Sequence, residues 1–144
     1  MIDAETFIFD EIVKRLKDKY AWAKDGKVGF SNDYVVQPER FPWIAIYEED
    51  NRTEIKYRET DNGEVASRLT YQVDVWTNSM STRKRDARRL ISAVDKVMLE
   101  LNFRRTYLNN DPNIQDVSIY RYIGRYTVIA EETAPDRYLL YYRP

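Results

Sequence analysis

The sequence predicts one α+β domain over residues 1–144: two helices on one face of a mainly antiparallel sheet of about four to five strands, with a projecting β-hairpin. Two long segments repeat their apolar residues with the period of a helix, one at the start of the chain and one in the middle. Shorter segments between and after them alternate apolar and polar residues, as strands do. A turn signal between two of the shorter segments indicates the hairpin.

The first helix is predicted over residues 3–20, with Asp3 as its N-cap. Its apolar stripe is formed by Phe7, Ile8, Ile12, Leu16 and Tyr20. Glycine, asparagine and proline punctuate residues 21–40, which are predicted to be irregular, with a short edge strand at residues 34–37. A segment of this length could also act as an extended arm.

Residues 41–47 are predicted to form a central strand because both of its faces are apolar. The hairpin follows over residues 52–69, with its turn at Asp61-Asn62-Gly63. Both faces of this hairpin are polar before Leu69. We therefore expect it to project from the body of the domain.

The middle of the chain, residues 69–101, reads as a strand, a polar turn and a long helix. The strand ends at Thr77, and the candidate N-caps of the helix are Asn78, Ser79 and Ser81. The helical stripe consists of Ala87, Leu90, Ile91, Val94, Val97, Met98 and Leu101. Asn102 is predicted to stop the helix, and Phe103 to fold back against the sheet.

The last part of the chain supplies the remaining strands. They are predicted at residues 104–108, 117–123, 125–129 and 138–142, the last as an edge strand. A polar loop at residues 109–113 separates the first two. Gly124 interrupts an otherwise continuous pattern and is predicted to mark a β-bulge.

Composition excludes most catalytic chemistry. Histidine and cysteine are absent, which removes the commonest general base, the thiol nucleophile and the preferred zinc ligands. No nucleophile elbow, phosphate loop or dinucleotide fingerprint is found. Asp74 and Glu64 remain as an acid–base pair, although a strand carboxylate beside arginine more often forms a structural salt bridge. The residues therefore predict no enzyme, no cofactor and no metal site.

A basic cluster stands at the start of the second helix. It consists of Arg83, Lys84, Arg85, Arg88 and Arg89. Arg104 and Arg105, which follow the helix, are expected to lie near the cluster and complete the candidate partner-binding residues. The helix dipole disfavours positive charge in the first turn, so folding alone does not explain the cluster. It is either a solvated face with salt bridges to loops, or a contact surface for an acidic or phosphate-bearing partner.

Charge and tyrosine content point to association between copies. Residues 1–66 hold 10 basic and 15 acidic residues, and residues 67–144 hold 13 basic and 9 acidic residues, within a total net charge of −1. An acidic and a basic half suit head-to-tail contacts. The 12 tyrosines are of a type enriched at interfaces, although strands also favour tyrosine.

Targeting signals are not found. No run of about 18 apolar residues is present, and the first residues lack the basic and apolar regions of a signal peptide. We therefore expect no membrane partner, and a location in a cytoplasm or in a particle assembled there.

Several motifs together carry a family resemblance. They are the first helix, Phe-Pro-Trp-Ile-Ala-Ile-Tyr at 41–47, Tyr-Gln-Val-Asp-Val-Trp-Thr at 71–77, the arginine-bearing helix ending Leu-Glu-Leu-Asn-Phe at 99–103, and Ile-Tyr-Arg-Tyr-Ile-Gly-Arg-Tyr at 119–126. In this combination the chain resembles the tail-completion, or tail-terminator, proteins of long-tailed bacteriophages and prophages. Asn102-Phe103 stands where the family has a Gly-Phe type of turn.

The resemblance implies a non-enzymatic protein that forms a homo-oligomeric, six-membered ring on the head-proximal end of the tail tube. Such a ring stops tube growth and joins tail to head, so the implied partners are other copies, the tail tube protein and the head-completion or connector protein. The implied location is the virion, after assembly in the bacterial cytoplasm. Passing DNA would touch the ring without sequence preference. The alternative is a nucleic-acid-binding protein or another head–tail connector or neck adaptor.

Overall fold

A computed structural model describes residues 2–53 and 66–142. Its helices are α1 (Glu5–Lys19), α2 (Ala21–Lys24) and α3 (Arg83–Glu100). Its strands are β1 (Gly29–Ser31), β2 (Trp43–Thr53), β3 (Ala66–Thr77), β4 (Arg104–Asn110), β5 (Tyr120–Ala134) and β6 (Arg137–Tyr141). The α+β class is confirmed. The sheet has six strands, more than the four to five expected, and its strand β6 lies where an edge strand was predicted at residues 138–142.

The strands form one mainly antiparallel sheet in the order β1-β2-β3-β5-β4. Only the pairing of β1 with β2 is parallel among the described strand pairs. The fifteen-residue β5 pairs with β3 along one edge. Along its other edge it pairs first with β4 and then with β6. The two longest strands, β3 and β5, therefore form the centre of the domain.

The main core lies between the sheet and the helices α1 and α3. The helix α3 contacts β3, β4 and β5, and α1 contacts β2 and α3. The side chains buried there include Ile8, Ile12, Leu16, Ile44, Ile46, Leu69, Tyr71, Val73, Leu90, Val94, Met98, Tyr126 and Val128. Each fully buried aliphatic side chain contributes about 1.5–3 kcal/mol through the area it removes from water.

The segment between α1 and β2 differs from the prediction. The short edge strand lies at Gly29–Ser31 and not at residues 34–37. Gly29 allows this pairing because a Cβ atom there would lie 2.1 Å from the ring of Trp43. Residues 21–24, predicted to be irregular, form the one-turn helix α2.

The bulge predicted at Gly124 is also wrong. The register of β3 with β5 runs without a break past Gly124, and the irregularity lies on β4 between Arg105 and Tyr107. Gly124 is needed for a different reason. A Cβ atom there would lie 2.9 Å from the Tyr126 ring, which is buried in the core.

The first residues of α1 and α3 differ from the predicted N-caps, whereas α3 ends where predicted, before Asn102. Ala4, not Asp3, is the N-cap of α1, and Thr82 is the N-cap of α3 in place of the three predicted residues. Asn102 follows α3 with a φ of 69°. Its N–H donates to the Leu99 carbonyl at 3.1 Å, and the Phe103 N–H donates to the Met98 carbonyl at 3.0 Å. This pair of bonds closes the helix end as a Schellman motif.

Phe103 is buried, as predicted, and meets the Tyr71 ring edge-on at 5.6 Å. The strands β2 and β3 are antiparallel neighbours, with Thr53 opposite Ser67. The turn of the predicted hairpin and its projection fall on residues 54–65, outside the described residues. None of the described helices combines the length and the apolar character needed to cross a lipid bilayer.

Candidate interaction surfaces

Five of the predicted basic residues form one surface at the start of α3. This basic surface consists of Arg83, Lys84, Arg85, Arg88 and Arg89. All of them except the half-buried Arg83 are exposed. A groove of about 690 Å³ runs across it. The groove is lined by Ser81, Thr82, Arg83, Lys84, Arg85, Arg88 and Tyr120.

The start of α3 is fixed to the sheet by hydroxyl groups. The Thr77 hydroxyl, at the end of β3, donates to the Arg83 carbonyl at 2.7 Å. The Thr82 hydroxyl lies 2.8 Å from the Asp86 carboxylate, which is the acidic group of the first turn. These contacts use Asp86 locally. They fix the position of the basic side chains without neutralising them.

Most of the basic surface lacks acidic partners. Within residues 2–53 and 66–142, Lys84, Arg85, Arg88 and Arg89 form no salt bridge. The Arg83 guanidinium donates to the Met80 carbonyl at 2.8 Å. A solvated face tied down by salt bridges to loops would show ion pairs, so the described contacts favour a surface that is open to a partner.

Arg104 and Arg105 do not join this surface, contrary to the prediction that they lie near it. The guanidinium of Arg105 pairs with Asp95 at 3.0 Å, and Asp95 also accepts a bond of 2.7 Å from the Tyr126 hydroxyl. The Arg104 guanidinium lies 4.8 Å over the Tyr142 ring and donates to its hydroxyl. Both arginines follow the C-terminal end of α3, whose eighteen residues span about 27 Å at ~1.5 Å per residue.

An acidic surface, which the sequence pattern did not reveal, lies beside α1 and β2. It consists of Glu5, Asp33, Glu48, Glu49 and Asp50, which line a recess of about 710 Å³. The recess is completed by Asn32, Tyr34, Tyr47, Arg52 and Thr70. Its carboxylates come from three separate segments, so no local motif indicates it.

Glu48 is the member of the acidic surface whose ionisation is disfavoured by its surroundings. Burial, followed by the nearby carboxylates of Glu5 and Asp3, raises the pKa of Glu48 to about 7. One of its carboxylate oxygens is buried without a hydrogen-bond partner among the described residues, as is the hydroxyl of Tyr71. Tyr71 lies opposite Glu48 in the register of β2 and β3. Elsewhere in the recess, Asp50 pairs with Arg52 at 2.6 Å and Glu49 lies 3.9 Å from the Arg125 guanidinium.

The acidic recess lies beside the middle of β3, and the basic surface lies at the end of that strand. Thr70 lines the acidic recess, and Thr77 bonds the first residue of α3. The seven residue steps from Thr70 to Thr77 span about 23 Å at ~3.3 Å per residue. The basic and acidic surfaces of one molecule are therefore too far apart to contact each other.

Exposed apolar side chains accompany both surfaces. Met80 and Val117 are 77% and 82% exposed, each within three residues of the pair Thr77 and Tyr120 that closes the basic end of the sheet. Tyr34, which lines the acidic recess, is 55% exposed, and Val36, two residues further along the chain, is 79% exposed. Each charged surface therefore includes apolar area that a partner could cover.

The sheet face opposite the main core holds a buried polar network around Asp74, which is fully buried. Asp74 accepts hydrogen bonds from the Tyr47 hydroxyl at 2.8 Å and the Gln72 amide at 2.9 Å, and pairs with Arg121 at 3.0 Å. Burial, together with the charge of Asp74, raises the pKa of Tyr47. Asp74 thus sits in an ion pair, and Glu64, its potential acid–base partner, lies outside the described residues.

Comparisons with known proteins add no relatives. No protein-family model matches the chain, and no curated protein matches it.

Proposed function

We propose that the chain is a structural tail protein of a long-tailed bacteriophage or prophage. It forms a homo-oligomeric ring, hexameric in the family it resembles, that caps the head-proximal end of the tail tube, ends tube growth and joins tail to head. The observation that carries the ring is the presence of two separate, oppositely charged surfaces, one beside the middle of β3 and one at its end. Two different, complementary surfaces on one chain produce head-to-tail contacts, which close into a ring when the rotation allows it.

The positions of the resembling motifs support the same function. Residues 41–47 and 71–77 lie mainly on β2 and β3, which are neighbours in the sheet. Asn102 adopts the left-handed conformation that glycine takes most easily. The departure from the family's Gly-Phe turn therefore keeps the geometry of that turn.

In this proposal the ring has two faces with different partners. One face contacts the tail tube protein and the other contacts the head-completion or connector protein, and the protein is carried in the virion after assembly in the host cytoplasm. In the same proposal, two long helices pack on one face of the sheet and the hairpin over residues 52–69 projects from the domain. The hairpin would then be free to contact a neighbouring copy or the tube.

The test combines solution mass with tail morphology. The purified protein is measured by sedimentation velocity over a hundredfold range of concentration, and tails assembled with and without it are imaged by electron microscopy. We expect a ring-sized species or a terminal ring on tails, and overlong tubes when the protein is omitted. A protein that stays monomeric and leaves both tail length and tail ends unchanged would overturn the proposal.

A nucleic-acid contact is the second candidate, because the groove combines the aromatic ring of Tyr120 with cations that form no salt bridge to any residue that the structure describes. Titration of a DNA duplex at several salt concentrations tests it. A ring that DNA passes through predicts weak binding without sequence preference, and a log–log salt slope of about −0.9 for each phosphate contacted. Tight, sequence-dependent binding by a monomer would instead favour a nucleic-acid-binding protein.

A further inference from the structure

We propose that the basic surface of one copy docks onto the acidic surface of the next copy, with Arg85 and Arg88 facing Glu5 and Glu49. The inference rests on the proposed function and deepens it, since it assigns the residues of the contact between subunits. The occupant of the groove at the start of α3 is in this case a second copy of the chain.

Charge on both sides supports this pairing. Lys84, Arg85, Arg88 and Arg89 form no ion pair within the described ranges. Among the described residues, two cations meet the five carboxylates of the acidic surface: Arg52 pairs with Asp50 at 2.6 Å, and Arg125 lies 3.9 Å from Glu49, at the outer limit of an ion pair. Three of the five carboxylates form no salt bridge within that part of the chain. Each surface therefore carries the charge that the other lacks, and docking would relieve repulsion on both sides.

The apolar residues at the two surfaces favour a protein partner over a phosphate backbone. Met80 and Val117 near the basic surface, and Tyr34 and Val36 near the acidic surface, are largely exposed. Protein interfaces combine an apolar centre with a polar rim, whereas binding to a phosphate backbone needs cations and not exposed aliphatic groups.

The geometry requires that the contact be made between two chains. The surfaces are separated along β3 by about 23 Å at ~3.3 Å per residue, so they cannot meet within one molecule. A contact between two different surfaces leaves one of each free on every dimer. Addition of further copies then continues until the ring closes.

Two charge-reversed double variants test the pairing. The first, Arg85→Glu with Arg88→Glu, reverses the two charges of the basic surface that the pairing uses, and the second, Glu5→Lys with Glu49→Lys, reverses the two charges that they face on the acidic surface. We expect each variant alone to associate at least about 100-fold more weakly than the parent, because like charges would face each other. An equimolar mixture restores opposite charges at every contact. It is therefore expected to associate within about 10-fold of the parent.

The matched control is Lys17→Glu with Lys96→Glu, which reverses two exposed charges on α1 and α3 that belong to neither surface. It is expected to associate as the parent does. Circular dichroism and thermal unfolding verify that each variant folds. If either reversed variant does not fold, the neutral pairs Arg85→Gln with Arg88→Gln and Glu5→Gln with Glu49→Gln replace it, each with an expected loss of about 10-fold.

Three outcomes would overturn the pairing. Both reversed variants could associate as the parent does, the equimolar mixture could remain monomeric, or a DNA duplex could bind the parent groove while the mixture stays inert. In the first outcome, rings made through other surfaces would leave the proposed function intact. The proposed function fails separately, when tails lack a ring and keep their length without the protein.

Discussion

Glu48 lies on the same side of β2 as the core residues Ile44 and Ile46, and its charge is therefore held close to apolar surroundings. Its raised pKa, about 7, means that folding resists its ionisation at neutral pH. The unfolded chain ionises the same group near its ordinary value of 4.5. The loss of folding stability caused by ionising Glu48 is absent below pH 4.5, grows between pH 4.5 and about 7, and is complete above pH 7.

Replacing Glu48 with glutamine tests this penalty. We expect Glu48→Gln to raise the free energy of unfolding at pH 8 by on the order of 1 kcal/mol, after allowance for solvent screening of a half-exposed group. At pH 4 the variant and the parent are expected to be equally stable. Urea denaturation at both pH values measures the difference. The control Glu49→Gln, at the exposed neighbouring position, is expected to change stability by less than about 0.5 kcal/mol at either pH.

Asp74 is the residue whose loss is expected to cost the fold most. Asp74→Asn keeps the shape of the side chain but leaves the Arg121 charge with Asp111, at 2.9 Å, as its remaining acidic partner. We expect a loss of about 3 kcal/mol in the free energy of unfolding, the lower end of the cost of breaking a buried ion pair. Denaturation of Asp50→Asn, at the exposed pair with Arg52, is the control and is expected to show less than about 1 kcal/mol. Equal losses in the two variants would contradict a buried network.

At the scale of elements, the spacing of apolar residues predicted the helices and strands that bury one face against the core. The long apolar stripes gave α1 and α3, and alternation gave β2, β3, β4 and most of β5, because burial of one face imposes those patterns. The strand β1 was missed because three residues are too short to show alternation. Its pairing depends on the close approach of Gly29 to the Trp43 ring, which is a tertiary contact.

The same distinction applies to the candidate site. Consecutive residues on one helix form the basic surface, so a local charge pattern could reveal it. Tyr120 reaches the basic surface only through the pairing of β5 with β3. The acidic carboxylates come from α1, from the segment after β1 and from β2, and only the folded chain brings these three segments together. The prediction that Arg104 lies near the basic surface was wrong for a related reason. Arg104 follows the C-terminal end of α3, whereas the basic surface lies at the N-terminal end of the same helix.

The end of α3 gives a test of an element boundary. Asn102 combines a left-handed backbone with a hydrogen bond of 3.0 Å from its side-chain amide to the Leu140 carbonyl. Asn102→Ala loses that bond and keeps a Cβ atom in the left-handed conformation, where no side-chain hydrogen bond now offsets the strain. We therefore expect it to destabilise the fold by about 2 kcal/mol. Asn102→Gly loses the bond but relaxes the backbone, and is expected to cost about 1 kcal/mol or less. Thermal unfolding of the two variants compares them, and an alanine variant as stable as the glycine variant would contradict the strain.

At the scale of the whole molecule, salt should control the association of copies. Screening lengths fall from about 10 Å at 0.1 M salt to about 3 Å at 1 M. If complementary charges hold the copies together, the dissociation constant is expected to rise by at least about 10-fold across this range. Sedimentation velocity in sodium chloride measures it. An association that is unchanged or stronger at high salt would show that apolar contacts dominate.

The branching of the sheet at β5 has a consequence for local stability. One edge of β5 is shared by two separate strands, with β4 opposite residues 122–127 and β6 opposite residues 129–134. The two strands can separate from β5 independently, each with its own free energy of opening. Amide hydrogens of β6 can therefore exchange with solvent while those of β4 stay protected. Release of β6 would remove the Tyr138 hydroxyl from the Asp3 carbonyl and its ring from Phe7. Slow amide exchange therefore distinguishes a C-terminal strand that opens by itself from one that opens only when the whole domain unfolds.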